Sequence, residues 1–266
     1  MDVLIYDALR ACWIGVRRAL EFFIPREKLD RFLDGLGFFQ WKDRAFSRYH
    51  RLPDGTELRI HPDDGKIIRE IHTDACYSKA EIADGDVVVD VGAHVGVFTI
   101  SAARRTPSGR VIAVEPAPTN LEFLRENLVK NGIANVKVFD CALSDKPGEA
   151  RLFSPGDHAL YTLKPTAPAA VSHPVVLRTL DELFDAERVD VCHLLKIDAE
   201  RSELEILQGG VRALGVVRQL LVEVGKENMT HEKTLAFLDE RGFACSILVD
   251  TPGGIVLHAL RRGGGT

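Results

Sequence analysis

Residues 87–96 read VVVDVGAHVG, followed by Val97-Phe98-Thr99-Ile100. Val87, Val88 and Val89 are a β-branched apolar run ending at Asp90, the pattern of a strand covered on both faces in a parallel sheet. Gly92 and Gly96 lack a Cβ, so the chain can turn tightly after the strand and let another group approach the backbone. The apolar stretch from Val97 then opens a helix. Strand, glycine loop and helix in this order predict an α/β fold with a Rossmann-like sheet.

Downstream the same alternation continues. Strands are expected at Arg110–Glu115, Val136–Ala142, Val191–Ile197 and Gln219–Val224, with helices between most of them. The clearest helix has Pro118 at its first turn, Leu121, Leu124 and Leu128 on one face, and a stop at Asn131-Gly132. Cys245–Val249 and Ile255–Leu260 flank Asp250-Thr251-Pro252-Gly253-Gly254, which reads as a hairpin closing the sheet with an antiparallel last strand. Ser154 to Pro174 carries four prolines and no period, and is expected to be a loop or lid.

Upstream, Leu4, Leu9, Cys12, Trp13, Val16, Leu20 and Phe23 recur at helical steps from Val3 to Phe23. This amphipathic helix is expected to serve packing or dimerisation. A sharper alternative is peripheral membrane contact through residues 3–23, since Trp13, Phe22 and Phe23 lie near Arg10, Arg17 and Arg18. Between Arg51 and Ile71, the Pro53-Asp54-Gly55 turn, the alternating Glu57-Leu58-Arg59-Ile60 and the Asp63-Asp64-Gly65 turn predict a short β-ribbon covering one sheet edge. The chain thus divides into a helical and β-ribbon extension (1–78), a cofactor-binding domain (79–262) and a flexible tail (263–266).

Of the 266 residues, 45% are hydrophobic and 27% charged, ordinary globular values that argue against a disordered or membrane-spanning chain. The net charge of −5 offers no basic footprint, so no nucleic-acid partner is expected. Five scattered cysteines form no C-x-x-C pair, which suggests neither a disulfide framework nor a zinc site and fits a reducing compartment. The opening Met1-Asp2-Val3 leads into no signal-like pattern, and the expected location is the cytoplasm.

The loop also says what kind of cofactor to expect. A dinucleotide site normally carries G-x-G-x-x-G, because a pyrophosphate sits over the helix N-terminus; Gly92-Ala93-His94-Val95-Gly96 lacks the second glycine. S-adenosylmethionine has no phosphate but carries an ammonium, a carboxylate and a sulfonium beside ribose and adenine. Asp90 at the strand end is expected to balance the cationic side, while backbone N–H groups of the loop meet the carboxylate; Ala93 and His94 of that loop are among the expected cofactor contacts. Glu115, followed by Pro116 at the next strand end, is placed to accept hydrogen bonds from the ribose hydroxyls. Asp140, Cys141 and Ala142, ending the third strand, are placed to read the adenine.

With those residues quoted, the chain resembles the FkbM-type methyltransferase family from about Ile71 to Val224. The matching runs are Val89 to Gly96, Glu115-Pro116-Ala117-Pro118-Thr119-Asn120 with Leu124 and Asn127, Ala142-Leu143-Ser144-Asp145, Thr179-Leu180-Asp181-Glu182-Leu183, and Leu195-Lys196-Ile197-Asp198-Ala199-Glu200. The resemblance implies a class I methyltransferase sheet and transfer from S-adenosylmethionine to a hydroxyl of a sugar, glycolipid or polyketide-type acceptor. Two positions depart from the family pattern: His94 stands where Asn is usual, and Glu200-Arg201 where Glu-Gly is usual.

A hydroxyl acceptor must lose its proton, and Asp198 and Glu200 alternate at the carboxyl end of the fourth strand, where open α/β sheets bind ligands. Either is expected to act as general base or to orient the hydroxyl. Glu200 has a structural alternative as a cap of the next helix, with Ser202 and Glu203 in its first turn. With Glu223 the two carboxylates offer, as a further alternative, oxygen ligands for a divalent metal. Arg201 is expected to reach an anionic group on the acceptor. Tyr77 and Glu70 are candidates to fold over the methionine end of the cofactor, and His158 and Tyr161 to contact the acceptor. The rival readings are a nicotinamide-dependent oxidoreductase, disfavoured by the missing glycine, and a cofactor-binding homologue that has lost catalysis. The chain can also form a homodimer through its first helix.

Overall fold

The computed structural model describes residues 3–25, 28–29, 32–33, 47–61, 79–154, 161–164 and 171–263. The expectations placed on Asp63-Asp64-Gly65, Glu70, Tyr77, His158 and residues 264–266 lie outside that set.

Seven strands form the central sheet, in the order β11-β12-β10-β9-β3-β4-β5. They are β3 (Val87–Val91), β4 (Arg110–Val114), β5 (Val136–Phe139), β9 (Cys192–Ile197), β10 (Val217–Gly225), β11 (Phe243–Asp250) and β12 (Gly254–Arg261). Pairing is parallel from β5 through β4, β3 and β9 to β10. Strand β12 runs antiparallel to both β10 and β11, so the C-terminal hairpin inserts its last strand inside the sheet. The third strand ends at Phe139 rather than Ala142.

Helices cover the sheet: α2 (Val97–Arg105), α3 (Pro118–Lys130), α4 (Leu180–Glu187), α5 (Glu203–Gln208) and α6 (Thr230–Glu240), after an N-terminal α1 (Val3–Glu21). Two begin at a start that the sequence marks. Pro118 opens α3 at a position whose N–H has no helical partner. Thr179 and Glu182 form a reciprocal capping box on α4, with both bonds at 3.0 Å. The apolar strands are buried on both faces, Val88, Val89, Leu194, Leu195, Leu220 and Val222 being wholly covered, as a parallel sheet between helices requires.

A second sheet of three strands, β6 (Ala142–Leu143), β8 (Val171–Arg178) and β7 (Gly148–Ser154), lies beside the first. Strand β7 pairs with β8 from Gly148↔Leu177 to Ser154↔Val171, and Phe153 bridges Thr162. The expected loop from Ser154 to Pro174 is therefore strand at both ends. Proline hid it: Pro174 has no N–H to donate, yet sits on an edge register opposite Arg151.

The ribbon is present as β1 (Arg48–Arg51) and β2 (Glu57–Ile60), but it docks on α3 and not on a sheet edge. Two asparagines one helical turn apart supply the ladder. Asn131 accepts the Glu57 N–H at 3.0 Å and donates to its carbonyl at 2.7 Å. Asn127 accepts the Arg59 N–H at 2.7 Å and donates to the carbonyls of Arg59 (2.9 Å) and Val95 (2.8 Å). Strand residues i and i+2 thus meet helix residues i and i+4, because each amide side chain offers a donor and an acceptor like a peptide group. On α1, Trp13 and Leu20 pack on Leu29 and Leu33, whereas Val16, Phe22 and Phe23 are exposed. Among the described residues no helix is long and apolar enough to cross a membrane.

Replacing fully buried Asn127 with Leu keeps the branched shape of the side chain but strands three backbone groups. Unsatisfied buried groups cost about 1–3 kcal/mol each, and partial rehydration at the ribbon brings the expected loss to about 2–4 kcal/mol. Urea denaturation measures it; a loss below about 0.5 kcal/mol would remove the asparagine ladder from the account of the fold.

Candidate functional site

The chain runs from β3 to β4 on one side and returns to β9 on the other, which opens a crevice at the carboxyl ends of these strands. A cleft of about 460 Å³ occupies it.

Glu115, one residue beyond β4, lines the cleft and is 4% exposed. Its Oε2 accepts the His94 N–H at 2.8 Å, and its Oε1 accepts the Ala117 N–H at 2.9 Å and Asn120 Nδ2 at 3.1 Å. Burial pushes the carboxyl above its ordinary range, and the hydrogen bonds from Ala117, His94 and Asn120 offset part of that rise. Three of roughly four acceptor positions on a carboxylate are filled. Ala93, Pro116, Cys141 and Ala142 also line the cleft. Burial pushes the Cys141 thiol up to about 11, so it is a neutral, apolar wall.

His94 lines the cleft with φ at 53°, a left-handed backbone that Asn and His tolerate better than most residues. The usual Asn at this position and the His found here share that backbone demand. Burial, helped by His61 and Lys196, drives the imidazole down to about 3, so it is neutral at physiological pH.

Asp90 does not face the cleft. It is wholly buried, accepts the Thr99 hydroxyl at 2.5 Å and pairs with Lys196 Nζ at 3.0 Å. The expected ion pair with a cofactor ammonium is made instead by this lysine. Lys196 also donates to the Gly92 carbonyl at 2.9 Å and lies 3.7 Å from Asp198 Oδ2. Burial works against its charge, but Asp90 and Asp198 outweigh burial and raise the ammonium above its ordinary range. Sequence reading missed this role of Lys196, though a lone lysine within Cys192-His193-Leu194-Leu195-Lys196-Ile197 was a signal: a charge inside a buried strand needs a partner.

The glycines are explained by protein contacts. At Gly92, φ is +77° and a Cβ would stand 1.8 Å from the Asp198 carbonyl oxygen, so this position admits only glycine while the tips of β3 and β9 cross. Gly92 still lines the cleft. Gly96 does not; its φ is +91° and a Cβ would meet Leu124 Cδ1 at 2.5 Å. Asp140 is exposed and away from the lining, because the backbone leaves β5 before it and turns its side chain outward.

Asp198 and Glu200 line the cleft, with Ser202, Glu223 and Thr251. Partial enclosure by the cleft and the adjacent carboxylates Asp198 and Glu203 push Glu200 up to about 7. Glu200 does not cap α5. Glu203, 2% exposed, holds the preceding loop instead, its Oε1 accepting the N–H groups of Ala199 (3.1 Å) and Arg201 (2.9 Å). Among the described residues no three His, Cys, Asp or Glu side chains converge as metal ligands would, so Asp198, Glu200 and Glu223 do not assemble the oxygen set their sequence positions suggested.

Tyr161 lines the cleft as expected. Arg201 does not: its Nη1 donates to the Lys164 carbonyl at 3.2 Å and its Nε lies 4.0 Å from Glu227, so it clamps the 161–164 segment rather than reaching an acceptor. The segment clamps back, through Thr162 Oγ1 to the Glu200 carbonyl (2.8 Å) and Lys164 Nζ to the Arg201 carbonyl (2.9 Å).

The family model of the methyltransferase FkbM domain matches residues 90–245. The methyltransferase sdnD of Sordaria araneosa is 30% identical, the match covering 66% of this chain and 81% of that protein. The 31-O-demethyl-FK506 methyltransferase FkbM of Streptomyces tacrolimicus is 32% identical, covering 73% and 87%. Among solved structures, methyltransferase FkbM from Methylobacillus flagellatus KT shares the fold with a TM-score of 0.50 at 21% identity, over 68% of this chain. The match spans only 45% of that structure's chain.

Glu200 and Arg201 are consecutive left-handed residues, with φ of 49° and 84°. Left-handed backbone costs a residue with a Cβ about 1–2 kcal/mol, which accounts for the glycine usual after the glutamate. Arg201→Gly and Arg201→Ala both lose the clamp, so comparing them isolates the backbone. The glycine variant is expected to be more stable than the alanine variant by about 1 kcal/mol in chemical denaturation; equal stabilities would show the loop is unstrained there.

Proposed function

Because the chain belongs to the FkbM methyltransferase family, whose cofactor is S-adenosylmethionine, we propose that it methylates a hydroxyl of a small-molecule or glycan acceptor. One observation carries this reading: a carboxylate poised near neutrality, Glu200, shares one cleft with Glu115 and the glycine loop. The Streptomyces relative supports it, since its name places the missing methyl on an oxygen of FK506.

The residues present fit the cofactor. Glu115 keeps about one acceptor position for a hydroxyl, and Cys141, Ala142 and Leu143 give an uncharged wall suited to a flat base; the N–H groups of Ala93 and His94 are spent on the Val114 carbonyl and Glu115, so they do not make the carboxylate contact expected of the loop. When bound, the cofactor would supply an electrophilic methyl carried on a sulfonium. The chain's own task is alignment and proton removal. Glu200 takes the hydroxyl proton, Asp198 orients the oxygen, and apolar residues such as Phe98, Leu163, Ile206 and Val256 limit water in the cleft.

Two measurements test the reading. S-adenosylhomocysteine should raise the unfolding midpoint, with about 2.7 kcal/mol gained at a hundredfold excess over Kd, and NAD(H) should not; the reverse would sink the methyltransferase assignment. In a labelled-methyl assay against pooled hydroxyl acceptors, the rate should rise with pH through about 7, since Glu200 works as a base only once it has lost its proton. Glu200→Gln should lower kcat about 10²–10⁴-fold and remove that limb; an unchanged limb would assign the proton elsewhere.

A further inference from the structure

The β-ribbon lies outside the residues matched by the family domain, yet the residue that follows it is linked through Asn120 to Glu115 in the cleft. His61 follows β2 directly and is 3% exposed. Its Nε2 lies 2.8 Å from Asn120 Oδ1, and Asn120 Nδ2 donates to Glu115 Oε1 at 3.1 Å. The chemistry fixes every role in this chain. An ionised carboxylate only accepts, so the amide must turn its NH₂ to Glu115; that leaves the amide oxygen facing His61, and the Nε2 atom must carry the proton. The amide is thereby anchored at both ends and cannot flip.

We infer that His61 is a positioning residue for the donor site: it fixes the Asn120 amide, which in turn holds Glu115 toward the cofactor, so the N-terminal ribbon is part of the cofactor-binding machinery. This rests on the proposed reading of the cleft. The ribbon is itself locked to α3 by Asn127 and Asn131, and α3 also carries Asn120, so one rigid helix sets both ends of the relay. The imidazole is held in plane by Phe123, with ring centroids 4.6 Å apart and an interplanar angle of 33°. Loss of the relay leaves Glu115 with two of its three donors and a mobile amide beside it.

A purely structural role for His61 would lie in its packing on Phe123, and substitution separates the two. His61→Phe keeps an aromatic ring and gives up the N–H; His61→Gln gives up the ring and keeps an amide N–H near the Nε2 position. Isothermal titration of the full chain with S-adenosylhomocysteine is expected to show affinity reduced about five- to tenfold in His61→Phe, and restored to within about twofold of the parent in His61→Gln. In an Asn120→Ala background His61→Phe should have no further effect. Ligand-free unfolding midpoints verify that each variant folds, and His61→Met, lacking both ring and N–H, replaces His61→Phe if that variant does not. Parent affinity in His61→Phe or its substitute, or affinity in His61→Gln as weak as in that variant, overturns the inference while leaving the methyltransferase reading intact. If the parent chain fails to bind S-adenosylhomocysteine, the underlying reading falls with it.

Discussion

A lysine ammonium buried between the tips of two parallel strands organises the cleft. Lys196 of β9 meets Asp90 of the neighbouring β3, the carbonyl of Gly92 just beyond it and, at longer range, Asp198 beyond its own strand. A buried ion pair is a weak source of net stability, since desolvation consumes most of the attraction, but removing one partner costs about 3–5 kcal/mol. Its effect is therefore on register. The ammonium is satisfied only when β3 and β9 end at the same level, and the absent Cβ of Gly92 lets the backbone of Asp198 pass at that level. With this crossing set, the glycine loop and the pair Asp198 and Glu200 face one cleft.

From that crossing the chain enters a strained stretch. Glu200 and Arg201 take left-handed backbone although neither is glycine. Strain of this kind persists where the surroundings over-determine the conformation. Here they do: Glu203 grips two N–H groups from below, while Thr162 and Lys164 hold the carbonyls of the two strained residues. The outcome is electrostatic. Asp198, Glu200 and Glu203 are crowded together: partial enclosure and the carboxylates of Asp198 and Glu203 raise Glu200 to about 7, and burial together with Asp198 raises Glu203 to about 7 although the N–H groups of Ala199 and Arg201 offset part of that rise. A loop that costs folding energy thus holds a carboxylate near the midpoint of its titration at neutral pH, where a base is most effective.

The other wall is built from apolar packing and neutral amides. Glu115 is enclosed by backbone and amide donors, and the last amide in that shell is oriented by a histidine from the ribbon. The ribbon adheres to α3 through asparagine side chains that imitate peptide groups. The extension and the sheet domain are therefore joined beside Glu115, in a cleft that is also lined by β10, the C-terminal hairpin and the 161–164 segment.

Much of this was legible in the residues themselves. Apolar runs alternating with helical periods specified a parallel sheet, Pro118 and Thr179 marked helix starts, and strand-end acids announced a cleft at the carboxyl edge, because these signals are local and each residue's neighbours in the chain decide them. Gly92, Glu115, Asp198 and Glu200 were found for that reason. Which acids face the cleft was not local. Asp90 lies inside β3 opposite Ala113, where a lysine 106 positions later holds it in the core, whereas Glu115 stands one residue beyond β4 and lines the cleft, with an amide five positions later donating to it. Arg201 was expected to reach an anionic group on the acceptor because its captor, the Lys164 carbonyl, is backbone and carries no signal in the sequence. Only the tertiary structure pairs charges distant along the chain, since the cost of burying one is settled by whatever the fold brings within about 4 Å of it.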